Sequence, residues 1–404
     1  MTIVYISNDI NSHILDVCKS LYNILGNDFY FIATDASINS QNAFRKGFAF
    51  YNASTTQSKN PYSWYKIAND RAAADACFNI INKSDVAIIA NASDDWIKTR
   101  LKKGKLTFRA HERWYGQNRL HWYKYPRALL GGWLHHKRFS NLYMLCASAY
   151  TAADAYKVNC YKNKAFQWGY FPECKRYTDP KSLITSKDKK EILWCGRFLD
   201  WKHPDDAIRA AKKLSDSGYT FHMNFIGIGE MEETLKQLIK NYGLEERITL
   251  LGAMTPEKVR TYMESAGIYL FTSDQKEGWG AVLNEAMNSG CSVIASHAIG
   301  SVPYLLKNQK NGYIYESGNI EALCKNIQFL LESPDVQEKT GMAAYQTITE
   351  EWNAETAAIR LVNLAKHILS GEKSPKLYET GLCSKAENLK DNWFDSAKNQ
   401  VPKS

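Results

Sequence analysis

Two carboxylates and a glycine-rich turn lie together in the stretch EGWGAVLNEAMNSG, which follows the apolar run IYLFTS. Gly278 and Gly280 supply a turn, and a helix that begins near Ala281 favours anions at its N-terminus. Glu277 precedes the turn, Glu285 lies inside the helix, and carboxylates accept strong hydrogen bonds from sugar hydroxyls. The residues are compatible with a site for a ligand that carries both phosphate and hydroxyl groups. They are equally compatible with two solvated acids.

Two cations follow another apolar run, in ILWCGRFLDWKHPDDAI. Arg197 offers a planar fork to phosphate oxygens, and Lys202 offers a point charge. By themselves these residues are more typical of a surface turn. Further along, NFIGIGE places Gly227 in a G-x-G turn, which is not the full GxGxxG dinucleotide fingerprint. Since no glycine-rich turn follows the first strand either, a nicotinamide-dependent dehydrogenase is disfavoured.

Short apolar runs alternate with amphipathic stretches along the whole chain, which predicts βαβ units and parallel sheets. The expected strands of the first half are TIVYIS, FYFIAT, FAFYNA, VAIIAN, KLTFRA and LYMLCAS. Those of the second half are EILWCGR, TFHMNFIG, ITLLGA, IYLFTS, SVIASH and GYIY. Helices are expected over 12–25, 65–82, 204–217 and 231–242, and the chain after residue 333 is predicted to be helical to about 370.

The 404 residues suggest two domains, because they are too many for one ordinary core. The polar, proline-led stretch 180–191 is expected to be the linker between them. We therefore predict an N-terminal domain over 1–185 and a C-terminal domain over 186–350. A C-terminal helix and tail over 351–404 can pack back on the first domain or stay disordered.

The nine cysteines are odd in number and form no CxxC pair, which favours free thiols in a reducing compartment. No secretory signal and no apolar run long enough to span a membrane is apparent. We expect a cytoplasmic protein, either free or peripheral to the inner face of a membrane.

The net charge of +9 is concentrated in residues 98–138, which contain twelve Lys or Arg and one acid, Glu112. Tryptophan and tyrosine are interleaved in the same segment. Such a surface suits nucleic acid, an anionic membrane or a negatively charged small substrate. It also suits a solvated basic face above core aromatics. A membrane or an anionic substrate is favoured, given the motifs of the second half.

Taken in order, those motifs resemble the retaining nucleotide-sugar glycosyltransferases of the large family numbered four, which have the GT-B fold. EGWGAVLNEAMNSG is similar to the family's EGFGxxxxEAMAxG element, and CGRFLDWKHPDDAI to its GR…K segment. FIGIGE resembles its G-x-G turn, AIGSVPYLL its GGxPE loop, and NGYIYESGNIEAL its NG…GD segment. The resemblance covers about residues 191–332, and five ordered elements are specific where any single one would be weak.

The resemblance implies a role for each matching position. Arg197 and Lys202 would hold the donor diphosphate, Glu277 would orient donor-sugar hydroxyls as a catalytic residue, and Glu285 would bind the ribose hydroxyls. The other implied donor contacts are Gly227, Gly278, Trp279, Gly280 and Ala281. The chain departs from the pattern at Ser292 and Tyr304, where Pro and Glu are usual, and this weakens any inference about the sugar used.

The first half matches the family poorly, as expected for a domain that binds a variable acceptor. Within FRAHERWYG, His111 falls where the family often has a histidine that faces the donor sugar, so we favour a catalytic role over a structural one. Arg109 and Arg113 flank it and could meet an acidic or phosphorylated acceptor, or a membrane.

Together these features predict an α/β protein of the GT-B class, with two doubly wound Rossmann-like domains facing across a cleft. The expected activity is retaining transfer of a sugar from a nucleoside diphosphate sugar to a glycan or lipid-linked acceptor, in polysaccharide biosynthesis. The chain contains no D-x-D, so we expect catalysis without a metal, and no cofactor besides the donor substrate.

Two other functions remain open. One is a different GT-B enzyme, such as a nucleotide-sugar epimerase or a hydrolase. The other is a nucleic-acid- or membrane-binding module built on residues 98–138. The ordered motifs of the second half disfavour the module, so nucleic acid is not an expected partner.

Overall fold

The computed structural model describes residues 1–34, 62–115, 120–372 and 374–401. The chain divides into two compact units. The first comprises Met1–Glu173 and Trp352–Lys390, and the second comprises Cys174–Glu351 and the segment from Asp391 onward. The boundary therefore lies some twelve residues before the expected one at 185, and the C-terminal segment is shared between both units.

A parallel sheet forms the centre of the first unit, and its described strands have the order β3-β2-β1-β4-β5-β6-β7. Every residue of β1 and β4 is buried, as expected for strands covered on both faces by helices. The strands are β1 Ile3–Ser7, β2 Phe29–Ala33, β3 Tyr65–Ile67, β4 Val86–Ile89, β5 Thr107–His111, β6 Leu142–Cys146 and β7 Ala165–Gln167.

The second unit has a parallel sheet of order β10-β9-β8-β11-β12-β13. The strand order reverses between β8 and β11, so the carboxyl ends of these two strands lie side by side, where ligands bind in doubly wound sheets. The strands are β8 Asp188–Cys195, β9 His222–Ile226, β10 Ile248–Leu250, β11 Ala266–Phe271, β12 Ser292–Ser296 and β13 Tyr313–Tyr315.

The described helices are numbered in chain order. Those of the first unit are α1 Ser12–Leu25, α2 Arg71–Lys83, α3 Lys98–Lys102, α4 Tyr125–Gly132, α5 Thr151–Lys157 and α14 Ala354–Leu369, and a π-helical turn, Trp133–Lys137, continues α4. Those of the second unit are α6 Pro180–Thr185, α7 Pro204–Asp216, α8 Glu232–Tyr242, α9 Pro256–Ser265, α10 Val282–Asn288, α11 Val302–Leu305, α12 Ile320–Glu332 and α13 Pro334–Gln346. None of the described helices has the length and apolar character that a membrane span requires.

Two expectations from the sequence are wrong in detail. The predicted helix over 65–82 is a short strand, β3, followed by α2, whose N-cap Asp70 accepts a hydrogen bond from the Ala73 N–H at 2.8 Å. The edge pairing of β3 with β2 overrides the helical pattern there. The predicted linker is α6 and the start of β8, because Asp179 caps the helix and Ile184 is buried in the second unit. The expected strand FAFYNA lies outside the described residues.

The polar tail is ordered against both units, without the docked helix that the sequence allowed. Lys385 forms an antiparallel bridge with Phe166 of β7 in the first unit. In the second unit, the indole nitrogen of Trp393 donates to the His297 carbonyl at 3.3 Å, and the Glu316 backbone N–H donates to Ser396 Oγ at 2.9 Å. Short polar contacts of this kind leave little periodic signal in a sequence.

Candidate functional site

The loops that follow β8 and β11 are joined by hydrogen bonds, because the two strands are neighbours in the sheet. Trp194 Nε1 donates to Thr272 Oγ1 at 2.9 Å, and the Thr272 hydroxyl donates to the Lys202 carbonyl at 2.7 Å. The backbone N–H of Asp274 donates to the Trp201 carbonyl at 2.9 Å. These contacts hold Lys202 against the carboxyl end of β11.

Lys202 and Glu277 form a salt bridge in which the two side chains are only 12% and 13% exposed. Ser273 Oγ donates to the same Glu277 oxygen at 3.0 Å. The Lys202 ammonium also lies 4.6 Å from the centre of the Trp201 ring and 6.0 Å from that of Phe271, within cation–π range. The structure therefore brings together the expected diphosphate cation and the expected catalytic acid, and each compensates the charge of the other.

The third ionic group of the site is Glu285, in the first turn of α10. Burial raises the pKa of Cys195, at the end of β8, to about 12; the negative charge of Glu285 adds to this shift, and the Lys202 ammonium opposes it. Both side chains therefore lie close enough to β8 to act on its last residue. Arg197 is half-buried in the loop two residues beyond β8.

Buried aromatic side chains pack against the glycine-rich turn and restrict its conformation. Gly280 has φ of +83°, and a Cβ there would lie 2.4 Å from the Phe271 ring. Trp279 is 1% exposed and its Nε1 donates to Asn284 Oδ1 at 2.9 Å, so its side chain belongs to the core. The donor contact expected at Trp279 is through its backbone, and it stays a prediction. Gly278 is half-buried before it, and Ala281 directly precedes α10.

Gly227, in the G-x-G turn after β9, is tightly enclosed. Its φ is +147°, and a Cβ at this position would lie 1.8 Å from the Gly196 carbonyl oxygen. Its N–H donates to the Gly252 carbonyl at 2.9 Å. The glycine is therefore required for close packing of two loops beside the site, and its contact with a donor stays a prediction.

A histidine that sequence reasoning did not select lies beside Lys202. His203 has a left-handed backbone with φ of 48°, and its Nε2 is 3.6 Å from Asp274 Oδ2. The Asp274 carboxylate, which accepts from the imidazole, raises the pKa of His203, although burial opposes the shift. Among the described residues, His203, Asp205 and Asp206 also bring possible metal-ligand atoms within 4.8 Å of one another. The motif WKHPDD was the available signal.

Arg260, on α9, was also missed, and it stabilises the end of α10. Its Nη1 donates to Asn288 Oδ1 at 3.0 Å, to Ser289 Oγ at 3.2 Å and to the Glu285 carbonyl at 3.3 Å. A cation at a helix C-terminus satisfies carbonyls that lack an intrahelical partner. No sequence spacing marks this contact, because α9 and α10 are separated by β11 and its loop.

In the first unit, His111 ends β5 and its side chain is exposed. Its Nδ1 lies 2.8 Å from the Glu112 carbonyl oxygen, which assigns the proton to Nδ1 and leaves Nε2 as the acceptor. Burial by neighbouring groups and the charge of Arg109 lower the pKa of His111, against the effect of that carbonyl.

Arg109 and Arg113 do not form the expected acceptor or membrane face. Arg109 forms a salt bridge with Asp94, and Arg113 Nε lies 3.4 Å from Asp154 Oδ2. The two arginine side chains are 10% and 6% exposed. Since β5 is an inner strand of the sheet, cations along it and just after it are largely removed from solvent and pair with carboxylates, Asp94 for Arg109 and the fully buried Asp154 for Arg113.

The family model that matches this chain covers a segment of the second unit. Residues 175–347 match the family described as glycosyl transferases group 1. This segment is therefore similar to the group 1 glycosyltransferases. The match covers the salt-bridged pair, Glu285 and the glycine turns, and the resemblance inferred from the motifs is confirmed at this level.

Curated relatives share this group 1 glycosyltransferase segment. A protein of Haemophilus influenzae described as an uncharacterized glycosyltransferase is 28% identical over 181 residues, which is 43% of this chain and 50% of the relative. The amylovoran biosynthesis glycosyltransferase AmsK of Erwinia amylovora is 28% identical over 182 residues, 44% of each chain. The chain thus spans half or less of the length of these relatives.

One solved structure is similar over both units. The crystal structure of HepE from Anabaena in complex with UDP aligns with a TM-score of 0.65 at 13% identity, and covers 92% of this chain and all of that one. At this identity the likeness shows the fold alone. It confirms the predicted fold class, GT-B with two Rossmann-like α/β units.

Proposed function

We propose that the chain transfers a sugar from a nucleoside diphosphate sugar to an acceptor hydroxyl, with retention of anomeric configuration. The acceptor is a glycan or a lipid-linked glycan, and the process is polysaccharide biosynthesis. The observation that carries the proposal is the Lys202–Glu277 salt bridge beside Ser273, at the adjacent carboxyl ends of β8 and β11. The group 1 family match and relatives such as AmsK support it.

Lys202 and Arg197 provide positive charge for the leaving diphosphate, which must be stabilised as the glycosidic bond to phosphate breaks. Because Lys202 is already paired with Glu277, a diphosphate competes with the carboxylate for the ammonium. The same exchange frees Glu277 oxygens to accept hydrogen bonds from sugar hydroxyls. Glu285, on the first turn of α10, is assigned to the ribose hydroxyls.

His111, at the end of β5 in the first unit, is proposed to contact the incoming acceptor hydroxyl. Its imidazole, with Nδ1 donating to a carbonyl, presents Nε2 as an acceptor. Held by β5, it would position the acceptor hydroxyl and reduce the entropy cost of the reaction.

The proposal is tested with two substitutions that change charge while nearly keeping shape. Lys202→Met is expected to weaken nucleoside diphosphate binding about tenfold or more, because a charge-assisted hydrogen bond is lost. Glu277→Gln is expected to leave that affinity within about threefold and to lower sugar transfer about a hundredfold or more. Matched controls are Lys258→Met and Glu245→Gln, whose side chains are exposed in the same unit.

Binding is measured by the thermal shift of the full chain with a panel of nucleoside diphosphates, starting with UDP, the nucleotide bound to HepE. Turnover is measured with the corresponding nucleotide sugars, with and without an acceptor glycan. Unchanged diphosphate binding by Lys202→Met would contradict the site assignment. An epimerised donor, or free sugar released equally with and without an acceptor, would favour the other GT-B enzymes.

Metal independence is proposed as part of the same mechanism, because Lys202 and Arg197 can offset the diphosphate charge. His203, Asp205 and Asp206 make the question testable at named residues. Sugar transfer is expected to persist in a strong chelator, and His203→Gln is expected not to create a metal requirement. Loss of turnover in the chelator, restored by a divalent cation, would overturn this part of the proposal.

A further inference from the structure

Residues 120–138 form an exposed surface, here called the aromatic-basic segment. It comprises the end of a loop, a 3-10 turn, α4 and the π-helical turn that follows. Trp122 is 86% exposed, Leu130 58% and Trp133 50%. Tyr123 and Leu129 are exposed as well. Large apolar side chains in this number and proximity on a surface mark an interaction site rather than ordinary scatter.

The opposite side of the aromatic-basic segment is firmly attached to the first unit. Gly132 is buried, and a Cβ there would lie 2.7 Å from Cys160 Sγ. The Tyr125 hydroxyl donates to the Lys157 carbonyl, and Tyr161 Oη lies 2.9 Å from His136 Nδ1. The apolar side chains therefore project from a rigid support, and folding back of the helix would break these contacts.

The exposed face has a regular arrangement along α4. Leu129, Leu130 and Trp133 fall at i, i+1 and i+4, which is one side of a helix. Trp122 lies two turns earlier, in the 3-10 turn that leads into α4. An amphipathic helix that presents tryptophan and leucine outward, with basic residues around them, lies in the plane of a membrane interface.

Charge limits what the partner can be. Residues 120–138 contain four Lys or Arg and no Asp or Glu. A cavity of about 310 Å³ adjoins the segment, and Lys137, Lys162 and Lys164 are among the residues that line it. A basic cavity beside an apolar face matches an anionic lipid headgroup beside its acyl chains.

We propose that the aromatic-basic segment is an in-plane anchor for an anionic phospholipid bilayer, with headgroups received at Lys137, Lys162 and Lys164. A second copy of this chain is disfavoured as the partner, because pairing two aromatic-basic segments would bring positive charges together with no acidic residue between them. Nucleic acid would account for the basic residues but not for Leu129 and Leu130, which offer no ring for a base to stack on. The anchor rests on the first unit alone, so its test does not depend on the proposed sugar transfer.

The test is co-sedimentation of the full chain with vesicles of phosphatidylcholine alone and of phosphatidylcholine mixed with phosphatidylglycerol. Binding is expected only or mainly with the anionic vesicles, and it should weaken as salt is added. The triple variant Trp122→Ser/Leu130→Ser/Trp133→Ser is expected to lose at least about tenfold in partitioning, because it removes the inserted apolar side chains. The charge variant Lys162→Glu/Lys164→Glu should lose the preference for anionic vesicles.

The matched control is Ile359→Ser/Leu369→Ser, which removes two exposed apolar side chains from α14 of the same unit. It should bind vesicles as the unsubstituted chain does. All variants should keep the melting temperature of the unsubstituted chain, so that a failed anchor is distinguished from a failed fold, and the vesicle assay contains no nucleotide, so that its outcome is separate from that of the donor site. Equal binding to both vesicle types, or full binding by the triple variant, would overturn the proposal. Self-association or single-stranded RNA binding that the triple variant abolishes, without vesicle binding, would also overturn it.

Discussion

The backbone at Gly280 connects the packing of the second unit with the geometry of its proposed site. The residue has φ of +83°, and a Cβ would meet the Phe271 ring at 2.4 Å and 2.6 Å and Glu277 Cγ at 3.2 Å. Gly280→Ala therefore introduces backbone strain and a collision together. Because Phe271 is buried at the end of β11, its ring has little room to move away.

The two costs can be separated within this chain. An alanine in a left-handed conformation costs about 1–2 kcal/mol, and overpacking a core costs about 1–3 kcal/mol. Gly280→Ala is thus expected to destabilise the second unit by about 2–5 kcal/mol. Gly318 has φ of +80° with no atom within 4 Å of its Cβ position, so Gly318→Ala should cost only the strain, about 1–2 kcal/mol.

Urea denaturation of the full chain, followed by tryptophan fluorescence, measures both variants. A third variant, Gly280→Ala/Phe271→Leu, reduces the side chain that collides with the new methyl group. Its loss of stability should be smaller than the sum of the two single losses by about 1 kcal/mol or more. Gly280→Ala should also reduce sugar transfer more than Gly318→Ala, because its Cβ presses on Glu277.

Equal destabilisation by Gly280→Ala and Gly318→Ala would refute the predicted collision with Phe271, since backbone strain alone would then explain both losses. The collision is also refuted if the stability loss of Gly280→Ala/Phe271→Leu equals the sum of the losses of the two single variants. A changed urea slope in one variant would show that the transitions are not comparable, and calorimetry would then replace denaturation for the same comparison.

Three further predictions concern buried or paired charges. Lys187→Met should lower the free energy of unfolding in urea by about 1–3 kcal/mol, because the three carbonyls that accept hydrogen bonds from the buried Lys187 ammonium lose their donor. Its control is Lys190→Met, at an exposed position, which should change the free energy of unfolding by less than about 0.5 kcal/mol. Asp154→Asn should lower the free energy of unfolding by about 3–5 kcal/mol, since it removes the counter-charge of buried Arg113. The control is Asp75→Asn, at an exposed position, and equal losses of stability in the two variants would contradict a structural role for Asp154. The pKa of His203 is raised by Asp274, so this pair stabilises the fold below the ordinary histidine pKa and loses that contribution as pH rises through the folded-state value. The melting-temperature difference between the unsubstituted chain and His203→Gln should therefore be larger near about pH 6 than near about pH 8.5, and a constant difference would refute the pairing.

Much of the second unit was predictable from the chain alone. Four of its six strands lie within the apolar runs that the sequence marks, because strands buried on both faces must be almost continuously apolar, and β8 and β11 begin two or three residues before their runs. Short elements at the margins of both units were less predictable. Strand β3 and the α6 segment are short, and neighbouring elements determine their conformation more strongly than local propensity does.

In the site, the residue types were predictable from the sequence, whereas the pairs that these residues form were not. Arg197, Lys202, Glu277 and Glu285 were selected from residue type and spacing, and the structure gathers their loops at the ends of β8 and β11. That Lys202 pairs with Glu277 could not be predicted, because the two residues are 75 positions apart and only the pairing of β8 with β11 brings them together. The buried positions of Trp279, Arg109 and Arg113 were likewise decided by packing.

The sequence by itself determined the alternation of strands and helices, the two-unit α/β architecture and the set of charged and glycine residues available for chemistry. These are local properties, set by the periodicity of apolar side chains and by backbone freedom at glycine. Tertiary structure alone decided which charges are already compensated and which apolar side chains stay exposed. Both depend on contacts between distant segments, and so the same basic segment supplies a buried Arg109 to the core and an exposed Trp122 to the surface.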